Sequence, residues 1–143
     1  MNAGRRLLGM MALLLFGLVG CGGGDPTLTA SQEELALGQQ LYEANCAACH
    51  GVEGEGQANW RSPDANGRYP APPHDDTGHT WHHPDQLLHQ IVTHGGQMEN
   101  SGMPAFGEQL TAEEIDAILS YIKTFWTAEQ RATQTEMTER AAQ

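Results

Sequence analysis

The chain has 143 residues and is acidic, with 18 Asp and Glu against 7 Lys and Arg and a formal charge of −11. That balance argues against nucleic acid as a partner and against charge-driven binding to anionic lipid head groups. With its polar ends set aside the chain holds one domain, small enough that a core of protein alone would be thin.

Arg5 and Arg6 precede the apolar run LLGMMALLLFGLVG at residues 7–20. A short positive head and a run of this length predict a secretory signal, since a transmembrane helix needs about 20 apolar residues. The run ends in Leu18-Val19-Gly20-Cys21, which resembles the lipobox of bacterial lipoproteins. The resemblance implies cleavage after Gly20, leaving Cys21 as a lipidated first residue; an uncleaved N-terminal anchor is the alternative. Residues 1–20 are then a signal peptide and residues 21–30 a flexible tether. The protein is expected outside the cytoplasm, lipid-anchored to a membrane and facing the periplasm or the cell exterior. The remaining chain keeps all 18 acidic residues but only five of the seven basic ones, a formal charge of −13. The cysteine count also closes, because with Cys21 lipidated only Cys46 and Cys49 remain of the three.

Three helices are predicted, in chain order. The first is capped by Ser31 with Glu34 three residues on, and it carries Leu37, Leu41 and Tyr42 on one face. The second begins at Pro84, stops at Gly95-Gly96, and carries Leu87, Leu88, Ile91 and Val92; His89 and His94 fall on or near it and are expected to face solvent. The third opens with the pair Thr111 and Glu114 and carries Ile115, Ile118, Leu119, Ile122 and Trp126. No segment alternates convincingly, so the fold class is all-α. Residues 129–143 read as a polar tail, disordered for want of an apolar stripe. Two long loops, residues 51–83 and 96–110, are rich in Gly, Pro and Asn. Loops of that length fit a compact domain when they wrap a cofactor.

The first helix runs into Cys46-Ala47-Ala48-Cys49-His50. Two thiols three residues apart with an adjoining histidine fit a redox dithiol, half of a zinc site, or the attachment point of a c-type haem. Zinc requires four ligands, and no second cysteine pair exists. A redox dithiol expects a βαβ setting, which the pattern lacks. Haem attachment remains: thiols one helical turn apart reach the two vinyl groups on one porphyrin edge, and the histidine meets the iron.

With its neighbours the motif resembles the class I, monohaem cytochromes c, across residues 31 to about 127. The family's Gly-x-x-x-aromatic-x-x-x-Cys run is matched by Gly38, Tyr42 and Cys46, and its C-terminal aromatic helix by Ile118-Leu119-Ser120-Tyr121-Ile122-Lys123. The methionine loop is matched by Gly102-Met103-Pro104-Ala105-Phe106-Gly107. The resemblance implies a cytochrome c domain over residues 31–128, with N- and C-terminal helices crossing at Gly38 and loops wrapped around one covalent haem c. It implies thioethers at Cys46 and Cys49 and axial ligation of the iron by His50 and Met103. Met98 competes for the sixth position, but Pro104 restricts the backbone after Met103, whereas Met98 stands among polar neighbours. A histidine as sixth ligand is the remaining possibility. Pro72, in Pro72-Pro73-His74, corresponds to the proline whose carbonyl accepts a hydrogen bond from the proximal histidine. His74 departs from the family, which usually has an apolar residue there. His79-Thr80-Trp81-His82-His83 has three readings: Trp81 and a histidine donating to a haem propionate, an exposed site for copper or zinc, or plain loop histidines.

These expectations combine into an exported, membrane-tethered electron carrier, not an enzyme. Single electrons would pass through a His/Met-ligated haem in a respiratory or other redox chain. Its partners would be redox proteins that dock transiently, besides the membrane reached through the lipid, with no nucleic acid and no small-molecule substrate. The alternatives are a haem-based sensor, an accessory subunit of an oxidoreductase, or copper delivery through His79, His82 and His83.

Overall fold

Gly38 is where the fold closes. In the computed structural model, which describes residues 28–143, helix α1 (Gln32–Asn45) crosses helix α4 (Ala112–Ile122) at this residue. A Cβ placed on Gly38 would lie 2.0 Å from the Ala117 carbonyl oxygen and 2.9 Å from Tyr121 Cβ. Hydrogen at this position therefore sets the helix separation. One turn further on, the fully buried Tyr42 fills the crossing, its ring against Tyr121 and Phe125 at centroid distances of 5.5 and 5.7 Å. Its hydroxyl donates to the Gly51 carbonyl at 2.9 Å, tying the crossing to the end of the cysteine turn. The expected signal peptide, Cys21 and most of the expected tether lie outside the described residues.

The caps explain where the helices begin. Ser31 accepts from the Glu34 amide, but the Glu34 carboxylate does not bond back to the cap; it accepts from Ser120 on α4. At α4 both halves of the Thr111–Glu114 box are present. Helix α3 (Asp85–His94) starts after Pro84 and stops at Gly95. Ile115, Ile118, Leu119 and Ile122 of α4 join Leu88 and Val92 of α3, Tyr42 and Trp126 in the core. A fully buried aliphatic side chain such as Ile118 contributes about 1.5–3 kcal/mol. Trp126 is buried as expected, but α4 ends at Ile122 and a 3-10 turn over Lys123–Phe125 carries the chain to it. Leu37, expected on the inner face of α1, is exposed instead. The crossing at Gly38 and Tyr42 turns that side of the helix outward.

The C-terminal segment corrects the sequence reading. Residues 129–143 are no loose tail: helix α5 (Ala128–Ala141) is capped by Thr127 and Gln130 and packs against the Thr80–His82 turn and α3. A search for apolar periodicity misses it because its buried side chains are polar, Arg131 and Gln134. The domain therefore runs past residue 128 to Ala141. No strand forms among the described residues beyond a bridge between Tyr69 and Ser101, which joins the two long loops. No helix among them is long and apolar enough to cross a membrane.

Candidate functional site

The cysteine motif folds into one helical turn. α1 ends at Asn45, and the short helix α2 (Ala47–His50) follows with Cys46 at its start. The amides of Cys49 and His50 both donate to the Cys46 carbonyl, at 3.1 and 2.9 Å. Residues three and four apart share a helix face, so both thiols and the imidazole leave the backbone on the same side. Both cysteines are free thiols, Cys46 partly buried and Cys49 exposed. Burial, and then the neighbouring Cys49, push the Cys46 thiol up to about 11. A redox dithiol needs the opposite, an acidified thiolate.

His50 is buried and oriented. Its Nδ1 donates to the Pro72 carbonyl at 2.9 Å, the contact assigned to Pro72 from the sequence. With the proton held on Nδ1, the lone pair of Nε2 is left for a metal. Burial lowers the His50 pKa, against a smaller opposing effect of the Pro72 hydrogen bond, and so favours the neutral ring that a metal requires. Pro72 reaches it because residues 71–75 run back along residues 51–57. The Gln57 amide donates to Ala71 at 2.9 Å, and the His74 amide to Gly54 at 2.6 Å. Gly56, at φ +68°, allows this approach, since a Cβ there would sit 2.5 Å from Pro73 N.

His74 is turned inward. Its ring stacks on His50 with centroids 3.9 Å apart and planes at 16°, and Tyr42 touches it from the side. Burial, with smaller contributions from His50 and His79, holds its pKa well below the ordinary histidine value. Stacking covers a face of the His50 ring. The His74 carbonyl accepts from the Trp126 indole at 2.8 Å, a positioning contact with no local signal to predict it.

Met103 and Met98 part company. Met103 is partly buried against the core, whereas Met98 is 59% exposed. The Met103 loop is fastened to the end of α3, where the carbonyls of Val92 and Thr93 accept from the Phe106 and Gly107 amides at 3.0 Å. Those carbonyls belong to a helix end that would otherwise lack partners. The Met103 carbonyl accepts from the Gly96 amide, and its own amide donates to Ser101 Oγ at 3.2 Å.

Trp81 packs against the same core, yet its Nε1–H is buried with no partner; the same holds for Nδ1 of His79 and of His74. Buried polar atoms without partners are rare in folded proteins and mark a place for a group with complementary atoms. An indole N–H only donates, so it calls for an acceptor such as a carboxylate. The histidine run does not gather into a metal centre. His79 stacks on Trp60 and meets His83 edge-on, while the exposed His82 lies against Trp81. No group of three or more His, Cys, Asp or Glu among the described residues is placed to hold a metal ion. His94 faces solvent; His89 is partly buried and bonds to Thr93.

The comparisons agree with this geometry. The family model of cytochrome c matches residues 35–126, so the chain belongs to the cytochrome c family, whose members bind covalent haem c and transfer electrons through it. Nitrite reductase of Stutzerimonas stutzeri is 30% identical over 85% of this chain and 21% of its own length. Thiosulfate dehydrogenase of Allochromatium vinosum is 47% identical over 40% of this chain and 20% of its own. The Cbb3-type cytochrome c oxidase subunit FixP of Sinorhizobium medicae is 28% identical over 64% of this chain and 30% of its own. The chain thus spans between a fifth and a third of these relatives. Cytochrome CL from Methylophaga aminisulfidivorans shares the fold, with a TM-score of 0.55 and 21% identity over 78% of this chain and 67% of that one.

Proposed function

We propose that this chain is an exported, membrane-tethered carrier of single electrons, rather than an enzyme in its own right. Cys46 and Cys49 would hold the haem as thioethers, His50 and Met103 would ligate its iron, and Trp81 would donate to a propionate. A bound haem would supply a one-electron iron couple, and a thioether ligand from Met103 beside the His50 imidazole would raise its potential. The chain's own task is to keep both axial ligands in place so that geometry changes little as the electron passes. The Pro72 carbonyl does this for His50, and the α3 terminus for the Met103 loop. The observation carrying the reading is His50, oriented by the Pro72 carbonyl, on one turn with the thiols of Cys46 and Cys49.

Met103→Ala tests the axial assignment. Oxidised protein should lose its weak charge-transfer band near the infrared edge, its potential should fall, and the reduced iron should bind carbon monoxide. Met98→Ala, at an exposed position, should change none of these. A reversed pattern sinks the assignment.

Membrane tethering rests on Leu18-Val19-Gly20-Cys21 and the glycines that follow. Cys21→Ser should free the protein from membranes or block its processing; a correctly cleaved Ser variant still on the membrane contradicts the anchor.

The relatives favour a closely allied reading, in which the carrier serves a larger redox enzyme as an accessory unit. Three of them are named as enzymes or an enzyme subunit, and this chain matches a minor part of each. In both readings partners are redox proteins that dock transiently through a small interface. An acidic carrier suits a partner whose docking face is basic.

A further inference from the structure

We propose that helix α5 is a positioning element for the haem crevice: Gln134 holds residues 76–85 so that Trp81 faces the carboxylate edge of the cofactor. This rests on the haem reading above and adds to it an element outside the matched region, which ends at residue 126.

The observation is a concentrated set of long-range bonds from one helix to one loop. Gln134 is 1% exposed, although it is polar and lies on a helix with no apolar stripe. Its amide nitrogen carries two N–H groups and lies within hydrogen-bond distance of three acceptors, the His83 carbonyl at 3.2 Å, Asp85 Oδ1 at 2.6 Å and Thr138 Oγ1 at 3.1 Å. Thr138 accepts from the Asp85 amide at 3.0 Å, and Gln130 donates to the Asp76 carbonyl at 3.1 Å. The loop is thus gripped at both ends, with Thr80–His82 between. Arg131, also buried, donates to the carbonyls of Lys123 and Trp126 and fixes the start of α5 to the end of α4. Lys123 in turn holds Asp85 at 2.8 Å. A buried carboxamide is costly unless its bonds are made, so such a network enforces one arrangement. What the arrangement presents is the buried, partnerless Trp81 Nε1.

The direction of the effect follows from charge. Donation to a propionate offsets a negative charge that otherwise favours the oxidised iron, and a tight loop excludes water that favours it too. Loosening the loop therefore lowers the potential.

The test uses the haem-loaded full chain carrying Gln134→Leu, which keeps bulk and removes the amide donor. A second variant ends the chain at Thr127, so that a well-packed leucine cannot mask the effect. The amides of Gly78, His82 and His83, each bonded within the loop, should exchange about tenfold faster. Core amides of α1 and α4 should stay protected. The midpoint potential should fall by the equivalent of at least about threefold in the redox ratio, about 28 mV at 59 mV per decade. Glu139→Gln, an exposed change on α5, should leave both readouts in place.

A looser loop with a lowered potential in either variant supports the proposal. A looser loop with an unchanged potential overturns it, as does unchanged exchange in both variants. Equal loss of protection in α1 and α4 also overturns it, because α5 is then a general stabiliser. Failure of the haem reading would show differently, as no covalent haem in the unsubstituted chain.

Discussion

Cys46→Ala combined with Cys49→Ala is expected to yield an exported chain with no haem on the polypeptide. Both thiols lie on the single turn that also carries His50, and Cys46 already packs against the core. Removing one should leave attachment through the other, at reduced yield. Removing both leaves only axial ligation, which can dissociate. Acid–acetone extraction and the mass of the chain measure this directly: the unsubstituted protein keeps its colour through extraction, and the double variant does not. Stability should fall along with colour, because a small domain with a thin core of its own loses the large apolar group that would fill it. Covalent haem persisting in the double variant would remove the basis for the site.

Gly38→Val is expected to be the most damaging single substitution in the protein scaffold. The added Cβ would meet backbone, the Ala117 carbonyl at 2.0 Å, and a carbonyl inside a helix cannot rotate away as a side-chain tip can. Either α1 and α4 separate, opening the space around Tyr42, or α1 slides and takes the cysteine turn with it. Overpacking of this kind costs about 3 kcal/mol or more. For a domain of this size that is a fall of about 12 °C or more in the thermal midpoint. Chemical unfolding of the haem-loaded protein measures the loss, and Gly38→Ala should show most of it. A neutral result would mean that the helices do not cross at this residue.

The two substitutions act on different parts of one arrangement. Tyr42 links them: it fills the crossing that Gly38 permits, and its hydroxyl bonds to Gly51 at the end of the cysteine turn. A change in helix separation thereby reaches His50 through the backbone next to it. Impaired haem incorporation in Gly38→Val would be a consequence of this link, with all the proposed ligands still in place.

Local signals in the sequence determined much of this. Spacing alone put the two thiols and the imidazole on one face, because three and four residues are about one helical turn. Caps at Ser31 and Thr111 fixed the starts of α1 and α4, and the order of elements, read with Gly38 and Tyr42, pointed to the crossing. Glycine on one side and proline on the other are the grounds on which the sequence prefers Met103 to Met98, a preference that the Met103→Ala experiment tests.

Only the tertiary structure decided the rest, because the deciding contacts join residues far apart in sequence. No local pattern says that Leu37 faces out, since its apolar spacing suits either side of a narrow crossing. The inward turn of His74 depends on Gly54, Tyr42 and Trp126, from three other segments. The plainest case is α5. Its cap, Thr127 with Gln130, was written in the sequence, but its place in the fold is held by carboxamide and guanidinium bonds to backbone carbonyls. Hydrophobic periodicity reports burial driven by apolar area. A helix buried through polar side chains leaves no such trace, so it becomes legible only once its partners are in place.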